Sequence, residues 1–427
     1  MNEPIVLKEE KVILIIAYAF PPVSSAIGTR SFKLAKYLKW VGWKPIVLTI
    51  ERGLTHNFDQ SLFDELETCN IETIRVGGFE NRTRIPNDPF TNPYRFLDRF
   101  LYVPDPYIKI EPFAIEAALP VLNKPQYIDF IYAFGHPWSA HNIAIKLKYM
   151  YSIPIALDFS LPWVDHINSK YPTFLHKILS GKYERDSIRF ADMIITSNRY
   201  IKELVVKKYF GIINHEKIVI IPNGYDELDF KSVQSQSKEP FLLTYYGDLQ
   251  NELCNKPFIQ AVKNFIDHFN LTPEKFKVHF MGNTKKAYLK YIRSLKLSDF
   301  FVSYENLQYK EIIQKCESSH AFWISETSHP HSKAIATFKL QFLIGFKKPI
   351  LGLVSDDYLK SLISKTGGYS AERLNANDIA DNLGKLYTNQ KRNDTTGFNE
   401  DLYTSHNYNM ITRELSKIIS RLLLLNF

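Results

Sequence analysis

Residues 12–20 (VILIIAYAF) are apolar without interruption, and that run constrains the fold more than any other feature. A strand with one solvated face alternates polar and apolar residues. A strand apolar at every position is covered on both faces, as in a parallel sheet with helices on either side. Pro21 and Pro22 end the run, since proline cannot donate to a sheet ladder. A short loop follows, and then residues 29–40, where Phe32, Ala35, Tyr37 and Leu38 recur at helical spacing. Gly42 closes this helix and residues 45–50 (PIVLTI) form a second apolar strand, which completes a βαβ unit.

The same alternation recurs through 128–134, 139–149, 154–159, 174–190, 193–196, 199–209 and 217–221, and it stops at the turn signal Pro222-Asn223-Gly224. Residues 225–240 are polar and rich in Ser and Gln, the composition of a linker. Strands and helices then resume at residue 241 and run to an amphipathic helix at 410–424. The chain has 427 residues, enough for two α/β domains of about 200 residues each. The expected fold is therefore α/β, with two doubly wound, Rossmann-like domains and a cleft between them. The expected divisions are an N-terminal domain at 1–223, a linker at 224–240, a C-terminal domain at 241–405, and a helix at 406–427 that packs back toward the N-terminal domain.

The formal net charge is +8, which suits an anionic partner such as a nucleotide diphosphate or a lipid phosphate. The basic residues are scattered, with no block resembling a nucleic-acid arm, so nucleic acid is not an expected partner. Cys69, Cys254 and Cys316 are far apart, which excludes a CxxC zinc site and fits a reducing compartment. No run of 18 or more apolar residues occurs. The expectation is a cytoplasmic protein, or one peripheral on the inner face of a membrane. Residues 94–107 (YRFLDRFLYVPDPY) interleave aromatics with Arg95 and Arg99. They fit either a membrane-interface segment or a local aromatic cluster.

In doubly wound sheets ligands bind at the carboxyl ends of the strands, often at a helix N-terminus. Gly28 lies at such an end and lets the backbone approach a diphosphate. A tight strand-to-helix turn explains a lone glycine equally well.

The segment IIAYAFPPVSSAIGTRSFKLAKYLKWVGWKPIVLT resembles the opening of retaining family 4 glycosyltransferases of the GT-B type, which build bacterial surface polysaccharides. YVPDPYIKIEPFAIEAA resembles that family's "PD" segment, and DFIYAFGHPWSAHNIAIKL its central strand, loop and helix. PIALDFSLPW, ADMIITSN and IPNGYDELDF follow in the family's order, and TFKLQFLIGFKKPILGL stands at its donor-binding elements. The resemblance implies transfer of a sugar from a nucleotide-diphosphate donor to a glycan or lipid-linked acceptor, with retention and without a metal or other cofactor. Surface polysaccharide or lipopolysaccharide synthesis is the implied setting. It also implies that a histidine of the GHPWSAH loop lies near the transferred sugar, with His136 and His141 as the candidates. Helix capping or packing under the loop is the competing role for either.

Three departures stand out. Ser160-Leu161 replaces an Arg-Asp pair, and the two glutamates of the family's donor site fall on Ala334 and Phe342. Glu326, at the end of AFWIS, is the expected substitute for the second glutamate, which in the family holds the donor ribose. Lys333, Lys339 and Lys256 are the cations expected at the diphosphate, whose leaving charge needs stabilising. His329 and His331 beside Glu326 lack helical metal-ligand spacing, so no metal site is assigned. The missing glutamates also support an alternative: a degenerate, non-catalytic GT-B protein acting as partner or scaffold of another transferase. A sugar-nucleotide epimerase of similar fold fits the N-terminal motifs less well.

Overall fold

The computed structural model describes residues 10–51, 58–77, 100–124, 127–166, 169, 171–230, 239–247, 255–327, 329–392 and 397–425. It divides into two compact units, Met1–Pro222 with Ile411–Phe427, and Asn223–Met410.

The first unit holds β1 (Lys11–Ile16), β2 (Trp43–Ile50), β3 (Glu72–Val76), β4 (Phe130–Phe134), β5 (Ile155–Phe159), β6 (Met193–Thr196) and β7 (Ile218–Ile220). They form one sheet in the order β3-β2-β1-β4-β5-β6-β7, with every pairing parallel. The strand order reverses between β1 and β4. Every residue of β4 and β5 is buried, the environment that the apolar run of β4 requires, and Asp158 of β5 is buried with them. The helix Ala26–Trp40 starts at Ser25, whose side chain accepts from the Gly28 amide, a standard N-cap arrangement. Lys33 and Lys36 of that helix reach Glu65 of the helix Gln60–Cys69 at 2.8 and 2.7 Å. The helix Tyr408–Leu425 closes the unit from Ile411 onward. Its Ser416 hydroxyl accepts from Trp43 Nε1 at 2.9 Å and its Ser420 hydroxyl from Lys11 Nζ at 3.2 Å. Lys11 and Trp43 are register partners at the starts of β1 and β2, so the helix lies at the amino ends of both strands.

The second unit holds β8 (Phe241–Tyr246), β9 (Phe276–Met281), β10 (Phe301–Tyr304), β11 (Ala321–Ser325), β12 (Ile350–Leu353) and β13 (Tyr369–Ala371). These form a parallel sheet in the order β10-β9-β8-β11-β12-β13. Its order reverses between β8 and β11. The core is unusually aromatic: Trp323 is fully buried, stacks on Phe258 at 4.0 Å and lies 4.5 Å from Tyr245, centroid to centroid.

The linker expected at 224–240 needs correction in its first part. Tyr225 is almost wholly buried, its amide donates to the His406 carbonyl and its carbonyl accepts from the Tyr408 amide, both at 3.0 Å. Its ring packs so closely on Gly345 that a Cβ there would lie 2.4 Å from Tyr225 Cγ. Residues 224–230 therefore belong to the packed body of the second unit, while 231–238 lie outside the described residues. The chain passes between units at Pro222/Asn223 and at Met410/Ile411.

Candidate functional site

Each sheet has a reversal point, where the helices on either side leave a crevice at the carboxyl ends of the strands. In the second unit this point lies between β8 and β11. Gly247 follows β8 directly, and its φ of +114° suits glycine and little else. Lys339, on the helix Ser332–Leu343, passes over it and donates to the Tyr245 hydroxyl at 2.7 Å. A Cβ on Gly247 would stand 3.1 Å from Lys339 Cε.

β11 delivers Glu326, which is only 2% exposed. Its Oε2 accepts from the Ser355 hydroxyl at 2.8 Å and the Ser355 amide at 3.3 Å, and Arg373 Nη1 lies 3.6 Å away. Its Oε1 has no hydrogen-bond partner among the described residues. An unsatisfied carboxylate oxygen costs free energy unless something else supplies a donor. Arg373 is anchored by donating to the Thr327 carbonyl at 3.1 Å. Lys333 pairs with Asp356 at 2.8 Å, and that hydrogen bond raises its pKa. Glu326, Ser355, Asp356 and Arg373 follow β11, β12 and β13, so three adjacent strand ends contribute to one polar group.

In the first unit the reversal point lies between β1 and β4. Here Asp105 occupies the helix N-terminus that follows β4. One of its oxygens accepts from the amides of Trp138 and Ser139 at 2.7 and 3.0 Å, and the other from the Ser139 hydroxyl at 2.8 Å. The loop between contains Gly135, where a Cβ would stand 2.1 Å from the Trp138 ring, so glycine is needed for Trp138 to fold back. Trp138 stacks on Trp163 at 4.6 Å. His136 is exposed on this loop. Crowding by protein around the open ring lowers its pKa, and the Asp105 carboxylate opposes that shift. Asp105 in turn is raised by burial, against the pull of His136 and its hydrogen-bond donors. Beneath the site, Arg30 and Asp158 form an ion pair at 3.3 Å, both side chains fully buried. Arg30 also donates to the carbonyls of Pro222 and Ile221 at 2.6 and 2.8 Å, and the Tyr132 hydroxyl donates to Asp158 at 2.7 Å.

The structure places the sequence-derived candidates as follows. Glu326, Lys333 and Lys339 lie at the β11 end and on the helix that follows it. Lys256 is exposed in the first turn of the helix Asn255–Phe269, with its ammonium 5.7 Å over the Tyr291 ring. Gly28 is buried and its amide is committed to Ser25 at 2.9 Å. A Cβ on Gly28 would stand 2.9 Å from the Val23 carbonyl oxygen. Loop packing thus accounts for this glycine, and its own amide is taken by Ser25. His141 also needs correction. It is fully buried, its Nε2 lies 3.2 Å from the Asp158 carbonyl oxygen, and burial holds its pKa down at about 3. Trp138, Phe159 and Trp163 surround it, so it is a neutral core residue rather than a group beside a sugar. His329 Nδ1 accepts from the His331 amide at 3.2 Å, a local turn contact. The sequence reading missed Arg373, Ser355, Asp105 and Arg30. A single Asp inside an apolar strand, as at Asp158, is a signal that would have led to Arg30.

No protein-family model and no curated protein sequence matches the chain. Solved structures do resemble it. A glycosyltransferase from Rickettsia africae matches over 97% of this chain and 99% of its own, at 14% identity and a TM-score of 0.63. Sucrose-phosphate synthase from Thermosynechococcus elongatus matches over 97% and 100%, at 13% identity and a TM-score of 0.66. Anabaena HepE in complex with UDP matches over 96% and 100%, at 12% identity and a TM-score of 0.61. At these identities the likeness is one of fold: two Rossmann-like domains of the GT-B type.

Proposed function

We propose that the chain is a retaining, nucleotide-sugar-dependent glycosyltransferase similar to family 4, with the donor held by the second unit and the acceptor by the first. The observation that carries this reading is Glu326: a buried carboxylate at the β8/β11 reversal point with one oxygen lacking a donor among the described residues. The ribose hydroxyls of a nucleotide would supply that donor. Phe342 has no acceptor atom to take this role, and it packs on Tyr246 at 5.0 Å and on Phe346 at 5.5 Å. The fold likeness to HepE, whose structure contains UDP, supports the same donor class.

In the proposed reaction the bond from the anomeric carbon to the diphosphate oxygen breaks and a bond from the acceptor oxygen forms on the same face. The acceptor proton passes to the departing diphosphate. Lys339, Lys333 and Lys256 stabilise the charge that develops there, without a metal. In its neutral form His136 would donate a hydrogen bond to the sugar rather than a full positive charge. The acceptor is a glycan or lipid-linked sugar of surface polysaccharide or lipopolysaccharide synthesis.

Calorimetric titration with uridine, guanosine, adenosine and thymidine diphosphate sugars tests the reading. One of them should bind, and Glu326→Ala should weaken it by about 1.5–3 kcal/mol, the range for a hydrogen bond to a charged group. The expected product is free nucleotide diphosphate. If the wild type binds none of the panel, the chain is a non-catalytic partner of another transferase.

A further inference from the structure

The helix Phe174–Phe190 of the first unit is built inside out. Its buried positions are Ser180, Glu184, Ser187 and Ile188, and Glu184 is held inside by Lys208 at 2.6 Å and by the Tyr209 hydroxyl at 2.8 Å. Its outer face begins with Phe174, Leu175, Ile178 and Leu179, exposed by 78, 60, 51 and 38%. At 3.6 residues per turn these form one stripe, and Lys182, Arg185 and Arg189 continue the same arc, all exposed. Half-buried Asp186 is the acidic residue on that arc. The apolar patch extends onto Phe100 and Leu101, exposed by 38 and 70%. His176 ties the two segments, with its Nε2 3.1 Å from the Phe100 carbonyl oxygen and its ring 5.5 Å from the Phe100 ring, centroid to centroid.

An exposed apolar patch of this kind marks a contact surface. Its chemistry selects the partner. Apolar side chains followed on the same face by cations match a bilayer with anionic headgroups, into which the rings insert while the cations meet phosphate. We infer that the outer face of the helix Phe174–Phe190, with Phe100 and Leu101, docks the protein on an anionic lipid surface. The contact lies on different residues from the donor site, so it stands or falls separately from the proposed reaction.

Co-sedimentation of the full chain with phosphatidylcholine vesicles, with and without phosphatidylglycerol, tests this directly. Binding should require the anionic lipid and weaken with salt. The double variant Lys182→Glu/Arg185→Glu should lower the partition constant about fivefold or more per residue. Phe174→Ser/Ile178→Ser should lower it about tenfold or more. Both variants change exposed side chains and should keep wild-type thermal unfolding. No binding by the wild type, or binding that ignores the headgroup charge and both variants, would overturn the inference. So would a wild-type dimer in sedimentation velocity that Phe174→Ser/Ile178→Ser converts to monomer, because the face would then join two copies of the chain.

Discussion

Lys339 donates to the Tyr245 hydroxyl at 2.7 Å with its side chain running across Gly247, where there is no Cβ to crowd it. With φ at +114°, any Cβ at Gly247 is strained as well as close to Lys339 Cε, at 3.1 Å. Gly247→Ala should therefore cost about 1–3 kcal/mol of stability and displace the lysine from the end of β8. Urea denaturation reads the first effect and nucleotide titration the second. A variant with wild-type stability and affinity would show that Lys339 does not depend on this passage.

The buried pair Arg30 and Asp158 gives a second expectation. Removing one member strands the other charge where no water reaches it, and Arg30→Ala also frees the Pro222 and Ile221 carbonyls. The expected loss is about 3–5 kcal/mol, measured as a lower urea midpoint. Arg30→Lys should recover only part of this, because a single ammonium does not reproduce the guanidinium fork.

The buried strands β1 and β4 show as uninterrupted apolar runs and β5 as a run broken only by Asp158, so the doubly wound fold is legible from them. β3, β10 and β13 are not, and all three are sheet edges with half-exposed residues, which leaves no apolar run to recognise. Missing β13 hid Arg373, placed two residues beyond its end. His141 misled for another reason: a histidine at helical spacing reads the same whether its ring faces a loop or the core. Only the stacked pair Trp138 and Trp163 shows which. The stretch at 225–240 has a linker's composition, yet Tyr225 and Phe230 pack on each other at 5.8 Å, and their burial depends on partners distant in the chain.

His141 yields a pH-dependent expectation. Its folded pKa, near 3, lies below the ordinary value of 6.5. The unfolded chain therefore takes up a proton between these values that the folded chain refuses. Stability should fall as pH drops below about 6.5, by at most about 1.4 kcal/mol per unit for this group. His141→Phe suits the surrounding rings and should flatten the decline between pH 6 and 4 relative to the wild type. Urea midpoints at several pH values decide it. The variant should also leave the proposed nucleotide-sugar binding unchanged, since the ring is enclosed by Trp138, Phe159 and Trp163.

Phe342 tests which residue serves the donor. The family resemblance places an acidic residue there, but the phenylalanine is 7% exposed and packed between Tyr246 and Phe346. Phe342→Glu would lose ring packing worth about 3–5 kcal/mol on truncation. It would also place a carboxylate among aromatic rings, where a charge without a partner is costly. If Glu326 holds the nucleotide, this change should destabilise the second unit and leave affinity unchanged or weaker. Phe342→Leu, which keeps most of the apolar volume, should retain binding. The measurements are urea denaturation for stability and calorimetry with the matched nucleotide sugar for affinity. Tighter binding by Phe342→Glu would mean that position 342 does face the ribose, and Glu326 would lose its assigned role.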